Sequence, residues 1–260
     1  MRRLVVAFAF GVMAQSAVAA DMPFLRGSLL DSPRRYVNWE GFYIGGHAGY
    51  GTSDMNFTNA TEGLVAKLLD NTEVEQRLAV SSWPVLDKRS VHGQGYGGFV
   101  GYNWQWTDVV LGLEANYLHG SFDGSDAGSM ARRIDAGGTT YAASNDSYAS
   151  IKVRDIGSTR LRAGYVWNGF LPYMFAGVSL GQADITRSAV ITGTDSVGTW
   201  TLSTSQAQHG HFIYGYGGGL GIDMMLYEGL FLRAEWEYLK FAAPIDTSVS
   251  TVRGGVGYKF

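Results

Sequence analysis

Nine charged side chains are set apart by their neighbours. Glu114, Arg160, Arg162, Asp223, Arg233, Glu235, Glu237, Arg253 and Lys259 each stand between flanking residues in segments of period two, as in Leu232-Arg233-Ala234-Glu235-Trp236-Glu237-Tyr238. In an extended strand, residues two apart share a face. The charges therefore collect on one face, and Leu, Trp and Tyr on the other. Charges in a confined interior can pair into a network or line a path for ions. A desolvated charge without a partner is costly, and five basic groups against four acidic ones are close to balance. A structural ion-pair plug is the expected outcome, with a narrow pore as the alternative.

The five histidines suggest other chemistry. His119-Gly120-Ser121 puts a base two residues from a hydroxyl, and a serine hydrolase needs such a base beside its nucleophile with a carboxylate to orient it. His92, His209 and His211 fall near strand ends, where imidazoles could ligate haem iron. His209 and His211 at i, i+2 would share a strand face. Polar rim residues are the plainer reading, so no catalytic residue, cofactor or metal site is assigned. Gly215 to Gly221 lies inside a strand pattern and does not open a helix, which removes it as a dinucleotide fingerprint. The chain has no cysteine, hence no disulfide framework and no thiolate metal site.

Eight segments must position these residues: Gly41–Thr52, Gly93–Trp106, Val109–Ser121, Lys152–Asn168, Leu171–Thr186, His209–Met224, Gly229–Phe241 and about Ser248 to Phe260. Seven alternate clearly; Leu171–Thr186 is apolar on both faces and its register is left open. The last segment sets Val252, Val256, Tyr258 and Phe260 against Arg253, Gly255, Gly257 and Lys259. This is the dyad pattern of a strand between lipid and lumen, and Tyr258 with Phe260 reads as an outer-membrane assembly signal. The fold class is all-β, an eight-stranded antiparallel up-and-down transmembrane barrel. Short turns fall at Thr107-Asp108, Gly169-Phe170 and Tyr227-Glu228. Long polar connections fall at Ser53–His92, Phe122–Ile151 and Arg187–Gln208, with a shorter one at Ala242–Thr247. The asymmetry puts the turns in the periplasm and the long loops outside. Trp39, Trp104, Trp106, Trp167, Phe170, Tyr227 and Phe260 then mark the inner headgroup boundary, a depth amphipathic rings prefer. Leu64, Val65, Leu68 and Leu69 have helical spacing and predict a short helix on the rim. The stretch Ser125–Ala149 reads as a loop that a Gly/Ser linker could replace.

Arg2 and Arg3, the apolar run Leu4–Met13 and Ala17-Val18-Ala19 form a signal-peptide pattern over residues 1–20. Residues 21–38 read as a periplasmic extension and 39–260 as the barrel. Of 20 basic and 23 acidic residues, Arg2 and Arg3 leave with the leader, so the mature chain carries about −5. It has no basic stripe for nucleic acid. Thirty-six glycines suit a crowded, strongly bent wall.

Trp39-Glu40-Gly41-Phe42-Tyr43-Ile44-Gly45-Gly46, Gly101-Tyr102-Asn103-Trp104-Gln105 and Arg160-Leu161-Arg162-Ala163-Gly164-Tyr165 resemble the small outer-membrane β-barrel proteins of alphaproteobacteria. That family includes surface antigens and haemin-binding proteins within the wider OmpA-like group. The resemblance implies localisation in the Gram-negative outer membrane. It also implies contact with lipid and lipopolysaccharide, and insertion by the outer-membrane assembly machinery. The implied role is structural or surface-interacting and non-enzymatic, with an unknown surface ligand; a small porin or a haemin receptor is the alternative. The His119-x-Ser121 spacing is similar to that of lipid A deacylase barrels, but the flanking residues of that motif are absent.

Overall fold

The computed structural model describes residues 37–260; the expected signal peptide and nearly all of the extension lie outside them. Eight antiparallel strands close into a barrel in sequence order: β1 Gly41–Asn56, β2 Lys88–Trp106, β3 Val109–Ala136, β4 Thr139–Tyr165, β5 Phe170–Thr194, β6 Thr199–Tyr227, β7 Leu230–Ala242 and β8 Asp246–Lys259. β1 completes the ring by pairing with β8 from Tyr43↔Lys259 to Asn56↔Asp246. Phe42, Ile44, Leu111, Leu113, Leu161, Leu220, Ile222, Val252 and Val256 are exposed on the wall, as lipid facing requires. The open register of β5 is settled: Met174, Val178 and Leu180 face outward, whereas Leu171, Tyr173 and Phe175 are buried.

Two of the expected loops are largely strand. β3 to β6 run for 28, 27, 25 and 29 residues, against 16, 19, 13 and 14 for β1, β2, β7 and β8. Crossing a bilayer takes about 9–11 residues, so the four long strands rise far above the membrane as an open sheet. Phe122–Ile151 is a hairpin paired up to Ala136↔Thr139 and turned by Gly137-Gly138, both at positive φ. Positive φ at both central residues is the tight hairpin turn that glycine favours. Arg187–Gln208 is likewise a hairpin, turned at Asp195–Gly198.

Where this sheet leaves the barrel, the register slips once on each pair of strands: between His119 and Phe122, between Val153 and Asp155, and between Ala183 and Ile185. Gly210, at φ +62°, supplies the last of these bulges. The outward residues change character at the same level, from Tyr96, Tyr117, Phe212 and Tyr214 to His119, Asp155, Asp184 and His209. Bulges bend a strand and increase its twist. The sheet therefore changes course as it passes from lipid to water.

The first connection folds into α1 Glu62–Leu68, α2 Glu73–Leu78 and a 3₁₀ turn at Val80–Ser82, so the helical spacing at Leu64–Leu69 does form a helix. Val65, Leu69, Val74, Leu78, Val80 and Trp83 pack with Ala143, Ala189 and Ile191 of the projecting sheet. The molecule thus has a projecting head with its own apolar core.

Candidate functional site: the lumen and the projecting head

The inward residues of β7 give the order of the interior in one line: Phe231, Arg233, Glu235, Glu237, Leu239, Phe241, all buried. On the periplasmic side, Trp39, Tyr43, Phe99, Leu171, Tyr173, Phe175 and Phe231 form an aromatic layer. Charges fill the middle. Above them lies an aliphatic layer that includes Leu118, Phe122, Ile151, Ile156, Ile185, Leu239 and Phe241. Inward glycines make room for these side chains. A Cβ on Gly221 would lie 2.4 Å from the Tyr173 ring, and one on Gly257 would lie 2.3 Å from Phe231.

Eight of the nine charged residues meet in the middle layer, four arginines against four carboxylates. Glu114 accepts from Arg160 Nε at 2.8 Å, Arg233 Nη1 at 2.7 Å and the Tyr43 hydroxyl at 2.8 Å. Asp223 accepts from Arg162 Nη2 at 2.7 Å and Arg233 Nε at 2.8 Å. Glu235 receives Arg160 Nη2 at 3.1 Å and the Tyr173 hydroxyl at 2.7 Å. Glu237 lies 3.2 Å from Arg160 Nη1 and 2.5 Å from Arg253 Nη2, and Arg253 Nη1 donates to Asn116 at 3.2 Å. The aromatic layer receives the flat faces of the guanidinium groups: Arg162 sits 3.8 Å over Tyr173, Arg233 3.9 Å over Phe99 and Arg160 4.3 Å over Phe175. Such contacts offset part of the cost of desolvating a cation.

Lys259 is not part of this layer. Its Nζ donates to the Glu40 and Phe260 carbonyls at 2.9 and 3.2 Å. It lies six residues beyond Arg253, about 20 Å along the strand, and so reaches the rim. Trp39 is also displaced from its expected place. It is 1% exposed and packs edge-on against Phe231 at 5.8 Å, not at the headgroup boundary. Its backbone is fixed to β2, with its N–H donating to Gln105 Oε1 at 2.6 Å and its carbonyl accepting from Asn103 at 3.1 Å. The other rings of the expected belt (Trp104, Trp106, Trp167, Phe170, Tyr227 and Phe260) are exposed on the wall or its rim.

The histidines do not converge. His119 Nδ1 lies 2.8 Å from Asp155, which also accepts from Tyr117, so a base and a carboxylate are paired. Ser121, however, donates to Asp123 at 3.2 Å, and no hydrogen bond joins it to His119. His92 is 3.3 Å from the Thr52 hydroxyl and stacks on Tyr50. The Gly210 bulge breaks the alternation between His209 and His211; Ala183 pairs with His211, and Ile185 already pairs with Gln208. Among the described residues no group of three His, Cys, Asp or Glu could hold a metal ion.

Polar clamps hold the head together. Asp126 accepts from the Asp87 N–H and from Arg89 Nε, both at 2.7 Å. Arg187 donates to the Ala60 carbonyl at 3.2 Å, and Thr61 to Ser147 at 3.2 Å. Arg77 covers Tyr141, and Arg132 covers Trp83. Ser125–Ala149 is therefore not a dispensable loop. It contributes buried Asp126, Tyr141, Ala143, Asn145, Ser147 and Ala149, and a linker in its place would leave the first connection without its partner surface.

The Asp126 clamp carries a pH prediction. Burial pushes its carboxyl pKa up, but the bonds from Asp87 N–H and Arg89 outweigh this and hold it below the usual range. A depressed carboxyl pKa contributes stability above the unfolded-state pKa and loses it as pH falls through the folded value. The clamp is thus complete at neutral pH and opens only below about pH 4. Pepsin cleavage of the first connection should accelerate over that acid range, and Asp126→Asn should flatten the dependence. An unchanged pH profile in the variant would remove Asp126 as the clamp.

Residues 4–260 match the family described as "Outer membrane protein beta-barrel domain". The chain belongs to that family. Its relatives include a 25 kDa outer-membrane immunogenic protein of Brucella ovis, 26% identical over 63% of this chain and 62% of the relative. A 22 kDa outer membrane protein of Rhizobium leguminosarum is 24% identical over 86% of this chain and 79% of its own length. The chain therefore spans less than two thirds of the Brucella ovis protein. Among solved structures, Neisserial surface protein A aligns over 85% of this chain and 97% of its own, at 12% identity and a TM-score of 0.38. Within the family, this protein is an alphaproteobacterial-type outer-membrane barrel.

Proposed function

We propose that this protein is a sealed, non-catalytic barrel that fixes a rigid β-sheet head outside the outer membrane, in a structural or surface-interaction role. One observation carries the reading: the lumen is filled from end to end, aromatic below, ionic in the middle and aliphatic above. An eight-stranded barrel encloses only enough space for side chains, and here they occupy it. The head presents its sheet and helices to the outside. Immunogenic relatives support a surface position for that part of the chain.

The intact protein is expected to show no sustained conductance in planar bilayers. A stable open channel would overturn the sealed-barrel reading and favour a porin. Haemin titration tests the receptor alternative: a spectral shift lost in His209→Ala with His211→Ala would replace the structural role with ligand capture.

The aromatic pair that closes β8 is proposed to serve assembly. Tyr258 and Phe260 are both exposed, with ring centroids 5.2 Å apart, and the Phe260 N–H donates to the Phe42 carbonyl at 2.9 Å. Phe260→Asp should reduce the amount of inserted, heat-modifiable protein. Wild-type levels of inserted protein from that gene would refute the assignment.

A further inference from the structure

Above the bulge level, β6 has a partner strand among the described residues on one side only. It pairs with β5 from Thr194↔Thr199 through Ala183↔His211, while its pairing with β7 begins only at Tyr214↔Ala242. β7 ends at Ala242, and Pro244 two residues later has no N–H with which to pair. Alternate N–H and C=O groups from Thr199 to His209 therefore point away from the sheet with no strand of the described residues beside them.

Exposed edges are normally protected by charge, proline or a covering segment. The opposite edge of the same sheet has two of these. Along Phe122–Ala136, β3 carries Asp123, Asp126, Arg132, Arg133 and Asp135. The first connection lies against it, with Asp87 and Arg89 bonded to Asp126 and the Val85 carbonyl so close to Gly128 that a Cβ there would sit 2.0 Å away. The β6 edge has no such charge, and although α1 approaches β6, it makes no backbone hydrogen bond to it. Thr-Trp-Thr-Leu-Ser-Thr-Ser-Gln-Ala-Gln-His, residues 199–209, contains no Asp, Glu, Lys, Arg or Pro, and no backbone hydrogen bond outside the ladder reaches it.

We propose that the edge of β6 from Thr199 to His209 is a docking site for an extended segment of a partner polypeptide, which adds as a fifth strand to the projecting sheet β3–β6. The inference deepens the surface-interaction reading and rests on it. Main-chain bonds supply the affinity in this mode, and alternate side chains supply the selectivity. The neutral edge favours an uncharged, Thr- and Val-rich strand, with Leu202, partly exposed on the inner face, as an apolar contact. A second copy in the same membrane is disfavoured. Two barrels sharing an outward direction would present parallel strands related by an axis along the strands, which turns their side-chain faces opposite ways.

The probe is a fluorescein-labelled peptide copying Ser188–Thr194, the uncharged β5 run that already pairs with this segment, added to the full chain in lipid nanodiscs. Saturable anisotropy, together with new amide-exchange protection within Thr199–His209, is expected. N-methylation of alternate peptide residues should abolish both. Because neighbouring amides point to opposite sides, one of Ser203→Pro and Thr204→Pro removes an edge donor and the other a ladder bond. The edge variant should bind about tenfold or more weakly while remaining heat-modifiable. No saturable binding, or binding indifferent to N-methylation and to both prolines, would overturn the proposal. Peptide-free dimers lost in the edge variant would assign the site to a second copy instead. Adhesion of whole cells that survives both prolines but not removal of the head would leave the surface role standing and reject this edge as its site.

Discussion

Glu114→Ala is expected to cost about 3–5 kcal/mol, because removing one carboxylate from a dry, balanced ion network leaves a buried positive charge uncompensated. Glu114 is 1% exposed and receives Arg160, Arg233 and Tyr43. Its loss would leave four arginines against three carboxylates, one buried positive charge in excess between an aromatic and an aliphatic layer, while Arg160 keeps Glu235 and Glu237 and Arg233 keeps Asp223. Urea unfolding in lipid vesicles measures the effect. The more telling comparison is a variant in which all eight members are replaced by apolar residues of matched volume. A buried ion network is weak evidence for stability in itself, so that variant should lose much less than the single substitution. A loss under about 1 kcal/mol for Glu114→Ala would mean that water reaches the layer.

The second large effect is expected one residue from the network. Ala234 is exposed between buried Arg233 and Glu235 on β7 and lies in the part of the wall assigned to mid-bilayer. Ala234→Arg should cost about 2–4 kcal/mol, falling towards zero for the same change near either interface. Leu113→Arg on β3 should behave alike, whereas the buried Asn116 should not follow the depth rule. Equal losses for Leu113→Arg and an Asn116 substitution would contradict the register.

The wall was legible because lipid and lumen impose opposite demands on alternate residues, as in Leu232-Arg233-Ala234-Glu235-Trp236. The composition of the middle layer followed from the same period. β5 resisted because Leu171, Tyr173 and Phe175 fill the aromatic layer while Met174 and Val178 face lipid, so both faces are apolar for different reasons. Trp39 misled because aromatics at a strand end suit a headgroup belt and a lumen stopper equally well. The projecting hairpins were read as loops because outside the membrane neither face needs to be strongly apolar, and polar strands resemble loops in composition. The signal that could have revealed them was Gly137-Gly138 between Asp135-Ala136 and Thr139-Thr140-Tyr141, a turn pair flanked by strand residues. The aliphatic layer also had a trace in the sequence, since the inward set of β7 continues past Glu237 to Leu239 and Phe241.

The bonds of the charged layer also have a direction. Arg233 on β7 reaches Glu114 on β3, four strands away and so on the far side of the ring; Arg160 on β4 reaches Glu235 and Glu237 on β7, and Arg253 on β8 reaches Asn116 on β3. They act as spokes. Apolar filler lets opposing walls slide past each other, but a directional bond across the diameter resists a change in its length. Lateral pressure that would flatten an empty tube must here stretch several such bonds at once, so the charged layer is expected to stiffen the barrel against flattening.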